Sequence, residues 1–249
     1  MKALILAGNK GCDPSSDINE NKALIKILGK EMISYVIFAL KELDFIDKIA
    51  VVGDLKQLDV IKPFVDDIVE QGDSLSANIL KGVQLFADDE DVLILTSDIP
   101  MITPDAIQDF VKKALRLEAD FCYPVVKKEV NERKYPGVKR TYVKIKDGTF
   151  TGGNIVLVKA GVAKRLVHKA ESFLAYRKKP WKLAGILGIS FIFKFLIGNL
   201  SIEDLEKRVS DIFGIKARAV ISPYPEIGTD VDKQSDLDLA AKVLSQGGI

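Results

Sequence analysis

The feature that most constrains this chain is a repeated switch of hydrophobic period through its first half. Lys2-Ala3-Leu4-Ile5-Leu6-Ala7 is a short apolar run that stops at Gly8, the pattern of a buried strand feeding a loop. Residues 32–43 then carry Ile33, Val36, Ile37 and Leu40 at helical spacing. Residues 46–52 read as a strand stopped by Gly53-Asp54, residues 55–64 as a helix, and residues 67–69 as a short strand. Residues 74–86 read as a helix capped by Ser74. Residues 92–96 form another apolar run, ending at Ser97-Asp98. Residues 104–117 follow as a helix, with Thr103 as cap and Pro104 at its first position. Strands alternating with helices of about ten residues predict right-handed β-α-β units on a mostly parallel sheet, covered on both faces by helices. Such α/β sheets bind ligands beyond the carboxyl ends of their strands, which puts Gly8 and Asp98 on one rim.

The second half changes character. Residues 121–126 and 142–146 read as strands joined by a polar, basic loop over 127–140, and Asp147-Gly148 is a turn signal. Thr151-Gly152-Gly153-Asn154 precedes an apolar strand at 155–158, and residues 160–176 read as a helix. Next come the basic Arg177-Lys178-Lys179-Pro180-Trp181 and an apolar stretch over 183–200. Ser201-Ile202-Glu203-Asp204 opens a helix with a capping-box pattern, residues 216–222 read as a strand, and residues 235–244 as a closing helix. With no repeat and no linker-like tract, residues 1–249 are expected to form one domain.

Composition removes several function classes. Lys and Arg total 36 against 35 Asp and Glu, so a general electrostatic grip on nucleic acid is not expected. Cys12, Cys122 and His168 are too few for a disulfide framework or a structural zinc site, and His168 would have to be the base of any Ser-His-Asp triad. The apolar run at the start is too short for a signal peptide, and Gly185, Gly188, Lys194 and Gly198 interrupt the 183–200 stretch. A cytoplasmic enzyme is the expectation.

Three constellations can carry chemistry. In Leu6-Ala7-Gly8-Asn9-Lys10-Gly11, glycine lets the backbone approach a phosphate or base, and Lys22 beyond the loop supplies a point charge; a solvated surface turn is the plainer alternative. In Leu95-Thr96-Ser97-Asp98-Ile99-Pro100, a carboxylate at a strand end suits Mg2+; a turn or capping role is the alternative, although Thr103 is the better cap. In Gly228-Thr229-Asp230-Val231-Asp232-Lys233, two carboxylates two residues apart point the same way in extended chain. Either Asp230 or Asp232 can be a second metal ligand, with the other expected to cap the closing helix.

Taken in order, these elements resemble the nucleotidyltransferases with a glycosyltransferase-A-type fold, above all the molybdenum-cofactor-guanylyltransferase-like branch. The resemblance rests on Leu6-Ala7-Gly8, Lys22-Ala23-Leu24 with Leu28-Gly29-Lys30, Gly72-Asp73-Ser74-Leu75 with Asn78, and Ser97-Asp98-Ile99-Pro100. Thr151-Gly152-Gly153-Asn154 and Asp230-Val231-Asp232 with Asp236-Leu237 complete it. It implies a three-layer α/β/α Rossmann-like mixed sheet of the nucleotide-diphospho-sugar transferase type. Its implied nucleotide contacts are Leu6, Ala7, Gly8, Asn9, Lys10, Lys22, Gly72, Asp73, Ser74 and Asn78. Lys22 and Asp98 would be catalytic, with Mg2+ on Asp98 and on Asp230 or Asp232. The family's Arg between the first Gly and the Lys is missing from the loop over 9–21, where Lys10 is a cation available in its place, and its Pro-Lys pair is Asn21-Lys22.

The expected reaction is attack of an acceptor phosphate on the α-phosphorus of an NTP, with release of pyrophosphate. An anionic acceptor needs no strong base, which agrees with a chain holding a single His. Lys139, Arg140 and Thr141, with Asn154, are the acceptor-side candidates, against a solvated hairpin as the alternative. Two other classes stay open: a glycosyltransferase using a nucleotide-sugar, and a non-catalytic nucleotide-binding protein. The 177–200 segment suits an interfacial helix near anionic lipid and hence a lipid-linked acceptor, or a helix packed on the core or in a dimer contact.

Overall fold

The protein's structure, a computed structural model, describes residues 1–8, 21–167, 169, 171 and 188–246. The expected alternation is present. Strands β1 (Lys2–Leu6), β4 (Lys48–Gly53), β5 (Asp67–Glu70) and β6 (Asp91–Thr96) lie parallel in the order β5-β4-β1-β6. The sheet continues, mixed, through β10 (Ile155–Lys159) and β7 (Phe121–Lys127). The strand β9 (Gly148–Gly152) also runs antiparallel to β7, and β8 (Val143–Ile145) pairs with β9. The last strand, β11 (Ala217–Ser222), lies parallel to β7. Together these nine strands make one sheet, and a two-stranded hairpin of β2 (Lys26–Ile27) and β3 (Lys30–Glu31) stands apart.

Alternation along the strands builds two cores. Ala3, Ile5, Ile49, Val51, Leu93 and Leu95 face α1 (Met32–Lys41) and α3 (Pro104–Arg116). Leu4, Ala50, Val52, Val92, Ile94 and Val158 face α2 (Leu75–Val83) and α5 (Ala160–Leu166). Ser74 and Thr103 cap α2 and α3 by accepting from the Ala77 and Ala106 amides. This is the three-layer α/β/α arrangement the sequence implied.

Several expectations need correction. Residues 58–64 form a 3-10 helix, Leu58–Phe64, because Pro63 inside the segment cannot sustain an α-helical ladder. The loop expected over 127–140 contains α4 (Lys128–Lys134), and β9 was not anticipated. The helix read over 160–176 is described as α5 only to Leu166, and most of its remainder lies outside the described residues. Within the 183–200 stretch, α6 (Ile189–Leu196) sets Phe191 and Phe195 against Ile145, Phe150 and Leu200. Phe193, Leu196 and Ile197 are exposed. The helix α7 (Ile202–Phe213) has the expected capping box of Ser201 and Asp204, and α8 (Gln234–Gln246) closes the chain. Among the described residues, no helix is long and apolar enough to cross a membrane.

Leu95 tests the parallel core. It is fully buried in β6, with Ile5 of β1 and Ile155 of β10 in register on either side. Leu95→Ala is expected to destabilise the fold by about 3 kcal/mol, read as a lower urea midpoint with an unchanged slope.

Candidate active site

The rim is built by the ends of β1 and β6. Leu6 and Thr96 are paired in register, and the Ser97 amide donates to the Leu6 carbonyl at 3.1 Å, so Asp98 emerges directly over the β1 end. The distant segment 229–232 reaches the same rim through the backbone, with the Val231 amide donating to the Asp98 carbonyl at 2.9 Å. Asp230 and Asp232 flank that amide, and alternation sends both carboxylates towards Asp98. One oxygen of each of Asp98, Asp230 and Asp232 lies within 4.8 Å of the other two. The helix-capping role foreseen for one of the pair belongs instead to Asp236, which accepts from the Asp232 and Lys233 amides at 3.0 and 3.2 Å.

Two cations answer this charge. Lys22 sits in a short 3-10 turn, Lys22–Leu24, where the Asn21 side chain accepts from the Ala23 amide and Ala23 is buried. Its Nζ lies 2.6 Å from Asp232 Oδ1. Burial works against the charged amine, but the Asp232 hydrogen bond and the Asp232, Asp98 and Asp230 charges outweigh it and hold its pKa above the ordinary value. Arg140 Nη1 lies 2.5 Å from Asp230 Oδ1, with both side chains largely buried. Asp98 has an oxygen, Oδ1, that is buried and lacks a hydrogen-bond partner among the described residues. Burial, then the Asp230 carboxylate beside it, push the Asp98 carboxyl up to about 6.

Three clustered carboxylates with one oxygen buried and unpartnered fit a hard divalent cation such as Mg2+, which takes oxygen ligands. Asp98, Asp230 and Asp232 are the residues that would hold it, and it would supply charge neutralisation for phosphate oxygens.

A cradle lies beside this group. A Cβ on Gly8 would fall 2.3 Å from Asn78 Nδ2 and 3.2 Å from Gln71 Oε1, so the backbone passes here only as glycine. Asn78 Oδ1 accepts from the Gly72 amide at 2.6 Å, and the Ala7 amide is tied to the Val52 carbonyl. Asn78 thus braces the Gly72 loop against Gly8, and buried Gln71 joins it. Gln71 was not singled out from the sequence, since an isolated Gln carries no spacing signal. Ser74 accepts from the Ala77 amide as a helix cap and shares a hydrogen bond with Ser76. Asp73 follows Gly72 at the same turn. Asn9 and Lys10 lie outside the described residues.

Of the acceptor-side candidates, Lys139 and Thr141 are exposed, while Arg140 turns inward to Asp230. The Asn154 backbone is fixed at the β6 end, donating to the Ile227 carbonyl and accepting from the Thr96 amide. Asn131 was not foreseen. It is fully buried, donates to the Tyr142 hydroxyl at 2.9 Å and accepts from the Thr229 hydroxyl at 3.4 Å. It therefore ties the Arg140 loop to the loop that carries Asp230.

Comparison with known proteins places the chain in a family. The family model described as the MobA-like NTP transferase domain matches residues 3–179. The chain belongs to the MobA-like NTP transferase family. A probable molybdenum cofactor guanylyltransferase from Thermococcus kodakarensis is 26% identical over 124 residues, 50% of this chain and 59% of the relative. The chain thus spans about three-fifths of that relative's length. A hypothetical transferase from Thermus thermophilus superposes with a TM-score of 0.82 at 33% identity, covering 95% of this chain and 98% of the other. The 4-diphosphocytidyl-2C-methyl-D-erythritol synthase from Anaerococcus prevotii superposes at 0.62 with 15% identity, covering 98% and 95%. This last likeness shows the fold: a mixed α/β sheet with a parallel core, of the glycosyltransferase-A type.

The burial and crowding at Asp98 have a measurable consequence in this member of the MobA-like NTP transferase family. The folded state holds the Asp98 proton up to about pH 6, whereas the unfolded chain releases it near the ordinary 3.8. Stability from this group is therefore present below pH 4 and is lost as pH rises through 6. In chelator at pH 8, Asp98→Asn is expected to stabilise the fold by on the order of 3 kcal/mol, read as a higher denaturation midpoint. At pH 4 the two proteins should melt alike.

Proposed function

We propose that this protein transfers a nucleoside monophosphate from an NTP to a phosphorylated acceptor, with release of pyrophosphate and dependence on Mg2+. The observation that carries this reading is the meeting of Lys22 with Asp98, Asp230 and Asp232 on the rim beside the Gly8 cradle. Membership of a nucleotidyltransferase family supports it.

The backbone at Leu6, Ala7 and Gly8, with Gly72, Asp73, Ser74 and Asn78, holds base and ribose. Asn9 and Lys10 are assigned to the same nucleotide subsite. The three carboxylates hold the divalent ion, which neutralises phosphate charge when bound. Lys22 keeps its proton throughout, as its raised pKa favours, and lays its ammonium against the oxygens on which negative charge grows. An acceptor phosphate oxygen forms the new bond to the α-phosphorus while the bond to the bridging oxygen breaks and pyrophosphate carries away the electron pair. The acceptor is already an anion, so no side chain removes a proton, and catalysis is positioning and charge neutralisation. Arg140, with Lys139 and Asn154, serves the acceptor side.

A pyrophosphate-release screen of the four NTPs with Mg2+ against sugar phosphates, pterin cofactors and lipid phosphates tests this directly. One NTP and acceptor pair should turn over. Asp98→Ala and Lys22→Ala should each lower its kcat on the order of 10³-fold. Release of nucleoside diphosphate from a nucleotide-sugar would instead support the glycosyltransferase reading.

The outward Phe193, Leu196 and Ile197 of the α6 region support a lipid-linked acceptor as a second reading. The protein should then float with anionic liposomes. Absence of binding with or without anionic lipid removes this reading.

A further inference from the structure

Arg140 is used twice by the reading above, as an acceptor-side cation and as the partner of a carboxylate that would hold metal. The two uses are incompatible at one moment. The guanidinium is engaged with Asp230 at 2.5 Å in a pair that is about nine-tenths buried on both sides. Lys22 engages Asp232 at 2.6 Å in a more exposed pair. Two of the three clustered carboxylates therefore already carry an internal cation, and Asp98 alone has a buried oxygen without a partner among the described residues.

The anchoring of Arg140 is unusual for a simple salt bridge. Two residues on, the Tyr142 hydroxyl accepts from buried Asn131, and Asn131 also accepts from Thr229, the neighbour of Asp230. Tyr142, on the Arg140 loop, and Thr229, on the loop that carries its partner, thus share one buried hub. Only the long side chain needs to move for the pair to part. On the other flank, Gly137 is in the left-handed region at φ +83° with open space around it.

We propose that Arg140 is an exchangeable counter-cation: it holds Asp230 while the carboxylates are empty of metal, and leaves it for an anionic group of the acceptor once a divalent cation is taken up. The charge arithmetic favours the exchange. Three carboxylates with Lys22 and Arg140 carry a net −1, and adding a divalent cation without other change makes the cluster +1 in a largely buried place. A guanidinium released from Asp230 is a planar, bidentate receptor for a phosphate or carboxylate. Metal-nucleotide then binds before acceptor, and the site favours acceptors that carry an anion. Naming the acceptor side rests on the nucleotidyl-transfer reading; the exchange at Asp230 does not.

Titration of the nucleotide-free protein with Mn2+, read by equilibrium dialysis, tests the exchange. Arg140→Ala and Arg140→Gln remove the competing cation and should bind Mn2+ about tenfold tighter than the wild type. Equal or weaker binding in both variants overturns the proposal, because a bridge that merely shapes the site would loosen it when broken. The wild-type chain supplies an independent readout. Modification of Arg140 by phenylglyoxal, followed by peptide mass spectrometry, should be slow in chelator and several-fold faster with Mn2+. A rate unchanged or slowed by Mn2+ overturns the proposal as well. Neither measurement involves turnover. If the exchange is seen and no NTP releases pyrophosphate, the functional reading fails while the exchange stands; turnover without exchange is the reverse case.

Discussion

Three carboxylates within 4.8 Å of one another repel by about 3 kcal/mol per pair even at an effective dielectric near 20. Nothing in ordinary folding energetics gathers such groups, so the surrounding chain must hold them by other means. The backbone does most of this. A strand end fixes Asp98, and a single amide between Asp230 and Asp232 fastens the second segment to the Asp98 carbonyl. Asp236 secures the same segment from behind, at the start of α8. Lys22 and Arg140 then dilute the charge that remains. The site is a locally unfavourable cluster supported by a conventional sheet, and the orphaned Asp98 oxygen shows that the compensation stops short of complete.

The sheet serves this purpose through its order. Placing β1 next to β6 brings the glycine loop and Asp98 to adjacent strand ends. The antiparallel β10 enters from the other side of β6, and the residues just before it, Gly153 and Asn154, bond to Pro124 and Ile227. A covering of buried polar side chains completes the rim. Asn78 and Gln71 meet Gly8, and Asn131 joins two loops through Tyr142 and Thr229.

How legible was this in the amino-acid order? The parallel half was, because Ala3–Leu6 and Val92–Leu95 are uninterrupted apolar runs and buried strands leave that trace. Segments where polar residues dominate were not. Lys128–Lys134 is helical with Val130 as its one aliphatic side chain, and the apolar spacing over 55–64 reads as an α-helix although Pro63 argues against one. For the site, the acidic motifs announced themselves by type and position. Their ion pairs did not: Lys22 and Asp232 are 210 residues apart, and no local pattern encodes that partnership. Arg140 stood out as a cation, but its attachment to Asp230 follows from how the 139–141 loop folds back. Asn131 and Gln71 are uncharged and lack any periodic signature, so only packing discloses them.

That long separation has an effect on biogenesis. Gly8, Lys22 and Asp98 leave the ribosome well before the 229–232 loop, and β11, which parallels β7 and precedes that loop, must also find its place late. Before that loop joins, Asp98 is the one member of the acidic cluster already made. A ligand that needs all three carboxylates would therefore wait for the 229–232 segment to join the rim.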